Sequence, residues 1–571
     1  MGAQQWVFQS QPAALVQSLS TQLKVSPLLS RLLINRGVKD ADAGERFLRP
    51  SMERLHDPMR MGQVEKAVER VRRAIANKEH IRTQGDYDVD GSTSSALLHQ
   101  FFGLLNANHS FAIPSRGEGY GLSHKAVERA KADGVTLMLT VDNGIAAHDE
   151  IAHARELGID VIVTDHHPVG ERLPPAYAIV HPALPGYDYP FAGLCGCAVA
   201  FKFALAIAGS YGDANTLGPR FPAFLESALA LVAIASVCDV VALRDENRVL
   251  VRHGLAALEV TRHPGLRALR EVSQAGAPIT TQEIGFRIGP RINAGGRLGQ
   301  ESLAATLLTE TNDERAKLLA MEMDLLNTQR QKLEREATKK AKELVDEFGG
   351  PGEIVVVAHE DIMPGLAGIV AARLVDAYNR PAVVLSINGD GIATGSGRSV
   401  PDFHLLDALK ACESHFIRYG GHAQAAGVTI NKSGIDDFRV AVNKAAASVQ
   451  RFTSERALLG VDALIGGEEL TLDFAKELSW LEPFGEGNPE PLLALEAGKV
   501  IGRPRLVGKT GKHLTFHVAP ENGQAIRAIG FGLAAHLDTL GRSVDLVFAP
   551  RINRYGGREE LEIEVRDVIS R

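Results

Sequence analysis

Apolar and polar positions along this chain switch between two periods, and the switches mark out its elements. Val135–Val141 and Asp160–Thr164 are apolar runs of strand length, and Asp149–Leu157 between them carries a helical pattern. Glu65–Asn77 and Ser94–Leu105 read as helices on either side of an Asp-rich turn. His80–Gln84 is the strand that enters that turn, although it is far more polar than a central strand usually is. Strands alternating with helices in this way predict a parallel-sheet α/β domain. A charge-rich helical pattern over 302–348, with Leu318, Leu319, Met323, Leu326 and Leu333 as a partial apolar stripe, reads as a connecting helix. Gly349-Gly350-Pro351-Gly352 ends it, and Glu353–Val357 opens a second, smaller α/β unit that runs to about Gln450. Beyond Glu455, His513–Val518, Val544–Phe548 and Leu561–Val565 alternate as in an all-β barrel or sandwich. The expected division is 1–60 helical, 61–301 parallel α/β, 302–348 connector, 349–452 second α/β and 453–571 β. The first segment carries no interpretable motif.

Composition narrows this picture. A chain of 571 residues exceeds what one hydrophobic core supports, so three or four compact units are expected. Its four cysteines have no C-x-x-C pair, which excludes a disulfide framework and a paired-cysteine zinc site and fits a reducing cytoplasm. Cys195-Gly196-Cys197 is read as packing. The amino terminus lacks Lys and Arg before Lys24, which argues against a signal peptide, and the most apolar run, Ala228–Ala235, is too short to span a bilayer. A soluble protein is expected. The net charge of −7 gives no sign of a nucleic-acid partner. One local patch runs the other way: Lys499, Arg503, Arg505, Lys509 and Lys512, which read either as a contact surface or as a solvated loop.

The chemistry lies in four motifs that follow one another in order: Asp86-Tyr87-Asp88-Val89-Asp90-Gly91, Val141-Asp142-Asn143-Gly144, Asp165-His166-His167 and Cys238-Asp239. The first resembles the opening of a calcium-binding helix–loop–helix site, but the required Glu twelve residues along is Leu97, inside an apolar helix face. Val-Asp-Asn-Gly alone would be an ordinary turn, and the His pair alone a surface feature. Asp239 interrupts an apolar stretch, where an unpaired carboxylate costs several kcal/mol, so a cation should meet it, either a metal or Arg244. Sheet-end carboxylates with imidazole and no thiolate suit two Mn²⁺ or Mg²⁺ ions, which would clamp a phosphoester or phosphoanhydride.

The ordered set resembles the DHH phosphoesterase superfamily, and Gly395–Ser399 with Gly420–Gly427 resembles its companion DHHA1 domain. Arg116–Leu122, Gly289–Arg297 and Leu481–Pro491 narrow the resemblance to the RecJ family of single-strand-specific 5′ to 3′ DNA exonucleases. It implies Asp88, Asp90, Asp142, His166 and Asp239 as ligands of the metal pair, Asp142 bridging, with Asp86 a ligand or standing just behind them. His167 would contact the scissile phosphate. Ser396 and Arg398, helped by Arg116, Arg297, Arg291 and Asn293, would hold the 5′ phosphate, with Gly420, Gly421 and His422 alongside. It further implies an OB fold at the carboxyl end, single-stranded DNA as substrate, and a helicase and a single-strand-binding protein as partners. Where relatives often carry Trp-His before Pro-Gly, this chain has Ile362-Met363.

Two rivals remain. One is a relative cleaving short oligonucleotides or cyclic dinucleotides, which would not need the β domain. The other is a non-catalytic replication scaffold, against which the complete ligand set argues. No Gly-x-x-x-x-Gly-Lys-Ser/Thr loop occurs, so unwinding driven by this chain's own nucleotide hydrolysis is not expected.

Overall fold

The protein, seen in a computed structural model, is described for residues 5–571 apart from 120, 213–217, 402, 450–457, 522 and 555–557, with backbone alone at 448–449. Tyr120 of the Arg116–Leu122 motif and the expected 452/453 boundary therefore lie outside the described residues. The chain divides into two compact units, Pro58–Asp239 with Ala257–Ser454, and Met1–Asp57 with Val240–Ala256 and Glu455–Arg571.

In the first of these, β1 (His80–Gln84), β2 (His109–Ala112), β3 (Val135–Val141), β4 (Asp160–Thr164) and β5 (Ala178–Val180) form one sheet in the order β2-β1-β3-β4-β5. Every pairing is parallel. The polar β1 is indeed central. Its buried Arg82 is neutralised by Asp133 at 2.8 Å and bonds Ser110 at 3.2 Å, so burial leaves no charge unpaired. Helix α1 (Val89–Leu104) starts five residues earlier than the apolar pattern suggested. Asp88 caps it by accepting the Gly91 N–H at 2.9 Å, and such a cap extends a helix beyond its apolar stripe. The path from β1 through α1 to β2 leaves on one side of β1, and the path to β3 returns on the other. The switch point of the sheet thus falls at the carboxyl ends of β1 and β3.

Two apolar helices, α2 (Gly196–Gly209) and α3 (Phe221–Cys238), pack with α1. The apolar run of α3 is longer than Ala228–Ala235, and by length and composition it could cross a membrane. Most of it is buried inside the protein. After α4 (Gly289–Arg297), the expected single connector is two helices, α5 (Leu303–Thr309) and α6 (Asp313–Glu347). The break is chemical: Asn312 caps α6 by accepting the Arg315 N–H at 3.0 Å. The buried face of α6 runs through Ala316, Ala320 and Met323, which leaves Leu318 68% exposed and outside the stripe.

The second sheet contains β6 (Val355–His359), β7 (Ala382–Ile387), β8 (Ile392–Arg398), β9 (Phe416–Gly421) and β10 (Ala425–Asn431), in the order β9-β10-β8-β7-β6. Only β6 and β7 run parallel. Helix α7 (Ala367–Tyr378) packs against β7 and β8. Gly420, Gly427 and Ser396 stand in one row across β9, β10 and β8.

The other unit carries the carboxyl-terminal β fold, a closed five-stranded barrel of Leu493–Val507, His513–Ala519, Ile526–Gly530, Glu560–Ser570 and Ser543–Asn553. The amino-terminal helices, opaque in the sequence, share its core: Leu29, Leu32 and Leu33 pack in the same cluster as Leu493, Phe516 and Phe548. The Leu481–Pro491 motif is a clasp. The buried Arg248 guanidinium donates to the carbonyls of Phe47, Trp480, Leu481 and Glu482 at 2.7 to 3.2 Å and lies over the Phe47 ring. Burial, with Arg252 nearby, lowers its pKa to about 9. Arg248→Met would remove one donor from each of four carbonyls, of which Leu481 and Glu482 keep a second donor in Asn488 and Arg252. It should lower the urea midpoint of this unit, a loss of about 2 to 4 kcal/mol; an unchanged midpoint would remove the clasp from the stability of the fold.

Candidate metal centre and phosphate pocket

Both ends of the switch point carry acid. Asp86 follows β1 and is almost fully buried, Asp88 caps α1, and Asp90 sits in the first turn of α1. Asp142 follows β3 with a left-handed backbone at φ 61°, a strained conformation of the kind that collects at functional sites. Asp239 caps the carboxyl end of α3, where the helix dipole disfavours a negative charge. Glycines permit the crowding: a Cβ on Gly91 would lie 2.5 Å from the Asp86 backbone, and one on Gly196 would lie 2.7 Å from the Asp142 Cβ. The first turn of α2 serves the centre directly, since Gly196 and Cys197 donate their N–H groups to Asp90 at 2.6 and 2.7 Å. The Cys195–Cys197 segment is therefore more than packing, a role its side chains do not signal.

The carboxylates press on one another. Burial first, then Asp88, raises Asp86 and Asp239 to about 7. Burial, followed by Asp239 and Asp88, raises Asp90. Burial, followed by Asp90, Asp88, Asp239 and Asp165, raises Asp142, which places it among all the others. The His166 Nε2 approaches Asp142 at 3.1 Å and Asp90 and Asp239 at 3.8 Å. Burial, then His167, lowers its pKa to about 4, so it enters the cluster as a neutral donor. Donor atoms of Asp142, His166 and His167 lie within 4.8 Å of one another, as do those of Asp90, His166 and Asp239. The nearby thiols offer no softer alternative, because burial holds Cys195 and Cys197 protonated and pushes Cys238 up to about 12. Oxygen and imidazole donors that repel one another without a cation fit hard divalent ions.

Sequence reasoning overlooked two residues that aim this cluster. Asp165 accepts from the backbone N–H of His166 at 2.7 Å, that of His167 at 3.2 Å and the His167 Nδ1 at 2.8 Å; its other oxygen accepts from the Ile145 N–H at 2.9 Å. Burial opposes the His167 charge, but the Asp165 bond together with the charges of Asp165, Asp239 and Asp90 outweighs it and raises the His167 pKa. Asn143 ties the two strand ends together by donating to the carbonyls of Gln84 and Val141 at 3.2 and 2.8 Å. Arg244, the alternative partner for Asp239, donates to the Gly487 carbonyl at 3.2 Å.

A second concentration of charge, positive, lies in the same unit. Burial, followed by Arg116, Arg330 and Arg398, lowers the Arg297 pKa to about 10. Arg116 donates to the Gly296 carbonyl at 2.9 Å and lies over the Tyr87 ring. Arg297 donates to the Gly365 carbonyl at 3.0 Å, and Arg398 to its own strand at Gly397 at 2.8 Å. Among the described residues, neither of these two has a carboxylate within 4.0 Å. Ser396 and Arg398 face the start of α7: a Cβ on Gly368 would lie 2.9 Å from the Arg398 guanidinium and 3.5 Å from the Ser396 Cβ. The amino end of α7 thus opens beside them, a second anion-favouring element the motifs did not announce. Beyond Ser396 in the same row, a Cβ on Gly427 or Gly420 would meet open space, so the sheet offers a bare backbone shelf. Gly421 has φ 142°, and the His422 N–H bonds the Ala425 carbonyl at 2.8 Å to close the adjoining hairpin.

Two expected contributors stand differently. Arg291 is committed to Asp324 at 2.8 Å and is not among the arginines acting on Arg297. Asn293 is half-buried on α4. In the other unit, Lys499, Arg503, Arg505, Lys509 and Lys512 are all exposed along the first barrel hairpin.

Comparison with known proteins agrees with the fold. Residues 80–234 match the DHH family, N-terminal domain, 351–448 the DHHA1 domain, and 461–567 the RecJ OB domain. The single-stranded-DNA-specific exonuclease RecJ of Bacillus subtilis (strain 168) is 36% identical over 98% of this chain and 70% of its own length. The crystal structure of RecJ in complex with Mn²⁺ from Thermus thermophilus superposes with a TM-score of 0.83 at 30% identity, covering 99% of this chain and 80% of that one. The Mg²⁺ complex from the same source gives 0.78 at 28% identity, covering 99% and 78%.

Two outcomes are expected. Asp165→Ala should weaken Mn²⁺ affinity or turnover by about 10- to 100-fold, the usual effect of losing a residue that orients a ligand; wild-type values for both would remove it from that role. Since Asp86 and Asp239 stand at about 7 without a cation, ion binding must displace protons. Mn²⁺ affinity should rise as pH rises through 7, with proton uptake by the buffer seen in calorimetry. A pH-independent affinity would contradict the crowding.

Proposed function

The chain belongs to the RecJ family of single-stranded-DNA-specific exonucleases, and from that membership we infer that it is a two-metal-dependent 5′ to 3′ exonuclease releasing mononucleotides in DNA repair and recombination. The observation that carries the reading is the pairing, within one unit, of a carboxylate centre in need of cations with an arginine cluster in need of an anion.

Asp88, Asp90, Asp142, His166 and Asp239 would hold two Mn²⁺ or Mg²⁺ ions, with Asp142 central and Asp86 behind them. Bound there, such ions supply charge neutralisation at a phosphate and a water acidic enough to attack at neutral pH. His167, whose charged form is favoured by Asp165 and the neighbouring carboxylates, would meet the scissile phosphate as a hydrogen-bond donor. Arg116, Arg297, Arg398 and Ser396 grip the terminal 5′ phosphate, and the amino end of α7 adds its dipole. Gly420 and Gly427 let the strand lie against bare backbone, with His422 at the edge of that shelf. A phosphate held at one place and hydrolysis at another count off one nucleotide from the end.

The exposed Lys499, Arg503, Arg505, Lys509 and Lys512 give the barrel a sequence-independent grip on the strand. A duplex-opening helicase and a single-strand-binding protein would supply the single strand, and the cytoplasm is the compartment where they would meet. The test is product release from 5′- and 3′-labelled single strands with Mn²⁺ or with EDTA. Immediate mononucleotide release from the 5′ label, lost in EDTA and in Asp142→Ala while strand binding persists, is expected. Turnover confined to a dinucleotide, or full turnover by Asp142→Ala, would overturn the reading.

A further inference from the structure

One arginine of the positive cluster belongs to no motif. Arg330 lies on α6, the long helix that joins the two sheets and packs both against α4, which ends at Arg297, and against α7, which starts beside Arg398; its charge is also one of those that depress Arg297. Its side chain is nearly buried, and its Nε has no partner among the described residues. The remaining guanidinium nitrogens are held from its own helix: one donates to Glu334 at 2.9 Å, another to the buried Asn327 at 2.9 Å. Glu334 is itself 7% exposed, and its second oxygen accepts from Arg373 on α7 at 2.9 Å.

This arrangement is poor as a stability device. In an isolated helix an acid–base pair four residues apart is more favourable with the acid nearer the amino end, and here the order is reversed. Burying a cation beside three others costs free energy that a surface position would avoid. Around Arg297, Arg116, Arg330 and Arg398 supply three further positive charges, while Glu334 opposes the Arg297 charge and Asp86 that of Arg116. Glu334 is already shared between Arg330 and Arg373, so the cluster keeps a surplus of positive charge. A terminal phosphate monoester, near −2 at neutral pH, matches that surplus better than an internal diester at −1.

We propose that Arg330 is a further contact for the 5′-terminal phosphate, and that Glu334 is the positioning residue that aims it and ties it to Arg373 at the start of the second α/β domain. This rests on the reading that the arginine cluster receives the 5′ end. Because Glu334 bonds α6 to α7, it also fixes the amino end of α7 and Arg398 relative to the helix that leads back to the metal centre. Arg330 thereby distinguishes a phosphorylated end from a hydroxyl end, and the shared carboxylate keeps that distinction in register with the point of cleavage.

The test uses the full chain with Mn²⁺ on single strands of one sequence bearing either a 5′ phosphate or a 5′ hydroxyl. Arg330→Gln should lower kcat/KM on the phosphorylated strand about 10- to 100-fold, the size of one hydrogen bond to a charged group, and change the hydroxyl strand far less. The slope of log affinity against log salt should fall by about 0.7 for the phosphorylated strand, the value for one lost phosphate contact on a single strand. Arg330→Lys should recover part of both. Glu334→Gln should reproduce the loss with every arginine still present and add products longer than one nucleotide. Arg398→Ala serves as the control for the underlying reading. If it collapses the end preference while Arg330→Gln leaves preference and salt slope as in wild type, the role of Arg330 is overturned and the pocket stands. If Arg398→Ala also leaves the preference unchanged, the pocket itself falls. An equal loss on both strands in Arg330→Gln, with Arg330→Lys no better, would mark the residue as structural and overturn the proposal.

Discussion

Mutual repulsion of buried carboxylates is the constraint around which the catalytic unit is arranged. Burial first, and then the charge of Asp88 and of neighbouring carboxylates, raises the pKa of Asp86, Asp90, Asp142 and Asp239 where they crowd around the ends of β1 and β3. A fold dominated by its own stability would separate them. Here the backbone does the reverse: Asp142 takes a left-handed conformation, glycines remove the Cβ atoms that would hold the segments apart, and α2 presents two N–H groups to Asp90. These features become favourable together once divalent cations enter, because the same repulsion that destabilises the empty cluster becomes affinity for the ions.

The arginine cluster is the complementary case. Buried cations near Arg297 repel one another and are relieved by an anion. On the proposed reading, a single-stranded end with its phosphates would satisfy both clusters at once, and electrostatics would select substrate class without base readout. The distance between the clusters is set by α4, α6 and α7, rigid elements whose contacts include Arg297 with Gly365 and Glu334 with Arg373. On that reading, specificity for the end of a strand would follow from geometry rather than from a reading of sequence.

Much of this was legible in the chain. The strands β3 and β4 fall where the apolar runs placed them, and three of the four motifs lie at strand ends as expected, whereas Cys238-Asp239 ends a helix, α3, rather than a strand-like run. Errors arose where polar groups overrode the apolar pattern. α1 begins at Val89 because Asp88 caps it, the connector breaks at Asn312 for the same reason, and the polar β1 is central because Arg82 is neutralised by Asp133. The first segment of the chain carries no motif because its job is apolar: Leu29, Leu32 and Leu33 complete the barrel core.

The four acidic and histidine motifs and their order were legible in the sequence alone, since three of them are turns of a few residues at strand ends, which local spacing suffices to specify, and the fourth, Cys238-Asp239, closes the apolar helix α3. Which residues aim those ligands, and which cations share a pocket, was decided only by the tertiary structure. Asp165 turns toward the histidine backbone, Gly196 and Cys197 act through N–H groups that no side chain advertises, and Arg330 acts on Arg297 from a different helix. Charge interactions act through space and depend on distance and burial, and neither is written in the order of residues along a chain.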